Sequence, residues 1–427
     1  MLRQELKRIL QSRVFIILAA LTAIYFAYLT ASYFFSNQQT ISQYQKDAEV
    51  TNAFLNEVSD QSADRANFYN TLKEVYLEAE NELGRLSAQD TGEGGQMSDE
   101  MQAAYDRWRI AMHALDCVGY QFDEYPSFAE KTIKKAYLLS NDGSQDEYTI
   151  RLNKKAVEEY NVARSFSLID TKPAGIWHEI YSARYRYFYI FLVFVFVIMS
   201  ADIFCYEHTH RLCGMVYTSK NGRKCLLFAK LCSLWLIAVV TIAVITIADI
   251  SVCLSIVGRE LIFEPVQVLP IFRRSTADLN FLTLIIYSGV IRLLLLLLVI
   301  CLVAAISTVS RNALISLSIN AVLMFTAFAL YSYSIGYEKI NSISGEIVLY
   351  EKRFELYEKL RGFLPVCFVN PISYVEKFDY MNICGYPISR LAVCITVTIL
   401  ISAVLVLTAF SRFGKASKAI RLKIKKG

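Results

Sequence analysis

The chain has 427 residues, of which 55% are hydrophobic and 19% charged, with a formal net charge of +5. The charged share is below the roughly 25% of an average soluble domain, and most aliphatic residues gather in six stretches with most of the acids between them. This excludes an ordinary soluble globule, a disordered chain, collagen and a small disulfide scaffold.

Residues 1–13 read as a short amphipathic helix. Leu2, Leu6, Ile9 and Leu10 share one face and Arg3, Lys7 and Arg8 surround it, which suits a helix lying in a membrane interface. Residues 14–35 form the first span, 22 residues without a charge, where about 20 suffice to cross a bilayer core. The run is longer than a signal-peptide core and lacks a small-residue cleavage site, so it reads as an uncleaved span.

Residues 36–186 read as a helical domain. Phe68, Leu72, Val75, Tyr76, Ala79, Leu83 and Leu86 follow helical spacing. The glycine-rich run 91–95 breaks that helix, and Ser98 with Asp99 and Glu100 starts the next. Met101, Tyr105, Trp108, Met112 and Leu115 form its expected buried stripe. Asn141 to Ser144 is a turn, and a further helix is expected over about 153–166.

Span 2 covers 187–206 and contains only Asp202 as a charge. A segment over 207–226 leads to span 3 at 227–257. A link over 258–280, with Pro265 and Pro270, precedes span 4 at 281–310. Span 5 at 312–337 follows at once through Arg311, so spans 4 and 5 form a tight hairpin. A second segment, 338–388, carries an amphipathic stretch near 348–360 and a loop with Pro365, Asn370-Pro371 and Gly385. Span 6 covers 389–411 and a basic tail 412–427. All seven prolines lie outside the spans, as they should where helices must keep their hydrogen bonds.

The fold class is therefore an all-α polytopic membrane protein with six transmembrane helices. The N-terminus, the 207–230 region, the Arg311 link and the tail hold seventeen Lys and Arg against two acids, Glu5 and Glu207, while the other side holds 26 basic and 35 acidic residues. The positive-inside rule then places both termini in the cytoplasm and makes 36–186 an extracytoplasmic helical domain. The basic tail suits anionic lipid head groups. No folded basic motif points to nucleic acid.

There is no phosphate-cradling loop and no His-Glu-x-x-His motif. His208 and His210 point to different helical faces, so no metal site and no cofactor are expected in this chain. The cysteines lack Cys-x-x-Cys spacing, and pairing of Cys367 with Cys384 stays open. Charges within spans carry more information, because an unpaired one costs a few kcal/mol. Asp249 lies 19 residues after Lys230, and Arg292 lies 19 residues before Arg311. Both fall at matched depth, either as an ion pair or, in the simpler reading, as two side chains snorkelling to the outer interface. Asp202 sits near the inner end of span 2.

The segment Glu207 to Lys230 is too long for a minimal hairpin and too short for a domain. Leu212, Met215 and Val216 form a short apolar stripe, and Asn221-Gly222 a turn. It reads as a mechanical handle for a cytoplasmic partner, or as a basic loop that only sets topology.

Glu207 at the end of span 2, the Thr218-Ser219-Lys220-x-Gly222-Arg223 turn and Ala229-Lys230 at the start of span 3 resemble the permease subunit of bacterial type-2 ATP-binding-cassette exporters. The six-span layout, the N-terminal elbow helix and the domain between spans 1 and 2 are similar over the whole chain. Arg211-Leu212 departs from the Gly-Thr or Gly-Ala common in that family. The resemblance implies a coupling segment made by Glu207, Arg211, Leu212, Met215, Ser219, Lys220, Gly222, Arg223 and Lys230. It implies separate ATPase subunits that bind ATP and Mg, a second permease copy or paralogue, no catalytic residue here, and a bacterial cytoplasmic membrane. The alternative is a membrane-anchored binding or sensor protein using the 36–186 domain.

Overall fold

The computed structural model describes residues 1–61, 65–89, 98–160, 170–210, 222–310, 312–344 and 365–424. Helix α1 covers Leu2–Leu10, and α2 runs Arg13–Gln61 as one 49-residue helix. Span 1 is thus only the first half of α2. No Gly or Pro interrupts the chain between Arg13 and Gln61, so nothing stops the helix where its apolar run ends. Its second half joins α3 (Arg65–Gln89) and α4 (Asp99–Gly119) around Leu55, Val58, Phe68, Leu72, Ala114 and Val118.

Ser98 caps α4, its hydroxyl accepting the Met101 N–H at 3.2 Å. The buried face of α4, however, is the one bearing Met101, Ala104, Ala111, Ala114 and Cys117, while Tyr105 is exposed. Small residues let α4 approach its neighbours closely, and the larger aromatic residues sit at the edge. A short π-helical turn leads into α5 (Tyr125–Ser140), and Asp142 closes the following turn by accepting the Ser144 N–H at 2.9 Å. Helix α6 spans Glu147–Glu159, six residues earlier than expected, because Asp146 rather than a later residue is its cap.

Helix α7 (Lys172–Glu179) continues through a π-helical turn into α8 (Tyr185–Thr209), which carries span 2. Helix α9 (Gly222–Leu261) carries span 3, α10 (Phe281–Ser310) span 4, α11 (Ala313–Ser344) span 5 and α12 (Arg390–Ile424) span 6 and part of the tail. Among the described residues six helices are long and apolar enough to cross a membrane, which makes this a multi-pass membrane protein. The expected amphipathic stretch near 348–360 lies outside the described residues.

Span 4 is central and packs against spans 2, 3, 5 and 6. Hydrophobicity alone does not put it there, since lipid is as apolar as a core. Span 1 is apolar too, and exposes Ile16, Ile17, Leu21 and Ile24. What span 4 has in addition is Ser288, Gly289 and Arg292, all buried. Polar groups need protein partners, and a glycine allows close helix approach. At Gly289 an added Cβ would stand 2.5 Å from Thr246 Oγ1 of span 3.

The link between spans 3 and 4 is itself buried, with Val266, Gln267, Val268 and Phe272 all at most 1% exposed. The segment before span 6 folds into two 3-10 turns, Pro365–Val369 and Pro371–Tyr374, and a hairpin of β1 (Tyr380–Ile383) with β2 (Tyr386–Ser389). Its two-residue loop is Cys384-Gly385, both at positive φ (52° and 84°), as a twist-matched hairpin turn requires. Cys384 is exposed there and Cys367 is buried, and the two are not joined by a disulfide. The domain grips this hairpin: Arg151 donates to the Gly385 carbonyl at 3.2 Å, and the Tyr380 hydroxyl donates to Glu159 at 2.7 Å.

Candidate functional site

Two polar constellations stand out, one at the α1 end of the bundle and one within it. The first gathers Glu5 and Arg8 of α1, Tyr206 and Glu207 at the end of span 2, and Lys230 near the start of span 3. Lys230 is 1% and Glu207 6% exposed. The Lys230 ammonium contacts the Glu207 carboxylate directly and donates to the Ile203 carbonyl at 2.6 Å. Arg8 reaches Glu207 Oε1 at 3.3 Å and Glu5 Oε2 at 2.5 Å. Its guanidinium also lies 4.3 Å from the centre of the Tyr206 ring. Burial pushes the Glu5 carboxyl up from its ordinary value, even with Arg8 and Lys230 beside it.

Three helices remote in sequence therefore meet in one ion cluster. The two acids that interrupt the basic segments, Glu5 and Glu207, both belong to it. A buried ion pair is not by itself strongly stabilising, because desolvation offsets attraction. Its effect is to fix register: Lys230 can be satisfied only when span 3 starts beside the last turns of span 2.

Of the expected coupling residues, Glu207 and Lys230 come together here. Gly222 opens α9 and Arg223 follows in its first turn. Arg211, Leu212, Met215, Ser219 and Lys220 lie outside the described residues. Asp202 is half-buried two turns before the end of α8. Sequence reasoning missed Glu5, Arg8 and Tyr206 as members of the cluster. The signal available was the isolation of two acids among seventeen basic residues.

The second constellation joins spans 2, 3 and 4. Asp249 and Arg292 are each 2% exposed, so neither snorkels to the surface of the chain. They form no direct pair either, because Tyr189 stands between them. The Tyr189 hydroxyl donates to Asp249 Oδ2 at 3.0 Å, and the Arg292 guanidinium lies 3.7 Å from the Tyr189 ring centre. Arg292 donates in addition to the Tyr181 hydroxyl at 2.7 Å and to the Val369 carbonyl at 3.4 Å. One arginine thus ties the 365–374 turns to the helical bundle.

The arrangement offers no nucleophile with an adjoining base, and its charges hold helices together instead of converging on an open pocket. It can transmit displacement among α1, span 2 and span 3. Among the comparisons with known proteins, a family model described as ABC-2 family transporter protein matches residues 1–417. No curated protein and no solved structure gives a match.

Proposed function

The chain belongs to the ABC-2 family of transporter proteins, a permease subunit of an ABC transporter, and from that premise we propose that it is the membrane half of an ATP-driven exporter. Both termini face the cytoplasm, and the domain built on α2 to α6 lies on the opposite side. Two permease subunits, identical or paralogous, enclose the path. Separate ATPase subunits bind ATP and Mg and dock on the 207–226 segment, through Arg211, Leu212, Met215, Ser219, Lys220, Gly222 and Arg223, with the buried Glu207 and Lys230 as its anchor. The basic tail meets anionic lipid, and the compartment is a bacterial cytoplasmic membrane.

The observation that carries this reading is the ion cluster Glu5–Arg8–Glu207–Lys230. The clamp joins α1, the end of span 2 and the start of span 3, so a force on any one of them reaches the other two. A loop that only sets topology would need no such clamp.

The test is purification of the tagged chain in detergent and identification of co-purifying proteins. Recovery of an ATPase with a phosphate-binding loop, lost when residues 211–221 are replaced by a Gly-Ser linker, supports the model. A stable complex without any ATPase would sink it. Single cysteines placed in 36–186 should label from outside intact cells, and labelling from the cytoplasm alone would overturn the orientation.

A further inference from the structure

We propose that His113, Cys117 and Asp170 form a binding site for one divalent transition-metal ion of the zinc class, open on one side to an adjoining cavity. His113 and Cys117 are four residues apart on α4, so both side chains leave the same helix face. Asp170 reaches that face from the start of the segment that continues through α7 into span 2. His113 Nε2 lies 2.8 Å from Asp170 Oδ2, and Cys117 Sγ lies 3.1 Å from Asp170 Oδ1. The three donor atoms all lie within 4.8 Å of one another, and no other group of His, Cys, Asp and Glu among the described residues does this.

Imidazole nitrogen, thiolate sulfur and carboxylate oxygen are the donors that zinc takes, at about 2.0–2.3 Å. Tetrahedral geometry at those bond lengths puts neighbouring donors roughly 3.3–3.6 Å apart. The two contacts to Asp170 need to open by about half an ångström or less, and the His113–Cys117 spacing, at most 4.8 Å, needs to close by about an ångström at most. The carboxylate is already held from behind. The Asp170 backbone N–H donates to Asn52 Oδ1 at 2.8 Å, and Asp170 Oδ1 accepts the Lys172 N–H at 2.9 Å. Such outer contacts are what orient a ligating side chain.

Three protein ligands leave a fourth position free for water or another donor. A cavity of about 240 Å³ borders the site, lined in part by Asp47, Thr51, Arg109, His113 and Lys172. Asp170 and Cys117 form the buried back of the site, and His113, with its side chain 14% exposed, forms the rim.

Without metal the cluster is a closed hydrogen-bond knot. The Lys172 ammonium contacts His113 Nδ1, so that nitrogen accepts and the Nε2–H is donated to Asp170. The Cys117 thiol donates to the same carboxylate. Binding of the ion releases the Cys117 proton to solvent and leaves a thiolate. The imidazole stays neutral, its proton moving from Nε2 to Nδ1 through solvent, and the Lys172 ammonium turns away into the cavity. The ion's two positive charges are then balanced by thiolate and carboxylate. Bound there, it would join α4 of the domain to the segment that enters span 2.

The test uses the full chain, stripped of metal in detergent, and titration with Co²⁺ followed by Zn²⁺. The expected result is one Co²⁺ per chain with a thiolate-to-metal charge-transfer band, displaced by Zn²⁺. Cys117→Ser keeps a donor to Asp170 and should elute as wild type while losing the band. His113→Gln, a second variant that keeps a donor, should weaken Zn²⁺ binding by at least the roughly 10–100-fold seen for lesser perturbations. Lys172→Met should bind Zn²⁺ more tightly than wild type. Absence of stoichiometric binding to the wild type, or an unchanged band in Cys117→Ser, overturns the site and leaves a hydrogen-bonded structural triad.

Discussion

Lys230 and Glu207 close a loop of 22 intervening residues by direct contact, and the same ammonium takes the Ile203 carbonyl one turn earlier. The start of span 3 is thereby fixed against the end of span 2, whatever the intervening segment does. Removing one partner of a buried pair costs about 3–5 kcal/mol, more than removing both. Lys230→Met should therefore lower the thermal stability of the detergent-purified chain strongly. The double variant Glu207→Gln, Lys230→Met should recover much of the loss. Singles that unfold at the wild-type temperature would show that the cluster holds nothing together.

Arg292 is expected to be the sensitive member of the intramembrane network. Its loss removes the donor to the Val369 carbonyl and one hydrogen bond of the Tyr181 hydroxyl, so Arg292→Met should destabilise by about 1–3 kcal/mol. Asp249→Asn should be mild, since an amide oxygen still accepts the Tyr189 hydroxyl. Exchanging the two residues should fail to rescue, because Tyr189 separates them. Rescue in a thermal-unfolding assay would mean a direct pair after all.

Gly289→Ala is expected to cost about 1–3 kcal/mol by overpacking against Thr246. Combining it with Thr246→Gly removes the obstructing hydroxyl and should restore stability. If Gly289→Ala alone is silent, spans 3 and 4 are less closely packed than described.

The cap of α6 gives a pH dependence with a definite sign. The Thr149 hydroxyl and then other donors hold the Asp146 carboxyl below its usual value. A depressed acid contributes stability that is present above the unfolded value, near pH ~4, and is lost as pH falls through the folded value. Exchange protection of the first-turn amides of α6, corrected for intrinsic rates, should therefore drop only at acidic pH. In Asp146→Ala it should be low already at neutral pH.

The six spans were legible because each crosses a bilayer's thickness without interruption, and span 4 begins and ends where the apolar run does. The continuation of α2 beyond residue 35 was readable in principle from the missing Gly and Pro, but hydropathy drew the boundary at the first polar residues. The 380–389 hairpin was not, because four-residue strands carry no periodic signal and only Gly385 marked the turn. Arg8 contacts Glu207 across 199 residues, and His113 meets Asp170 across 57. No local spacing encodes such meetings. The alanine face of α4 escaped for a different reason: the large residues advertise burial, while the small ones permit it.

Helix α2 has a further consequence. Forty-nine residues at about 1.5 Å each give a rod of roughly 73 Å, more than twice the thickness it needs to cross. With no joint between its two halves, the domain has no orientation independent of span 1. A rotation of about 10° about the α1 end would carry the far tip through about 13 Å over that length. Whatever small rearrangement begins beside Arg8 is thus geometrically amplified at the distal domain, as a short stroke at an oarlock becomes a long sweep of the blade.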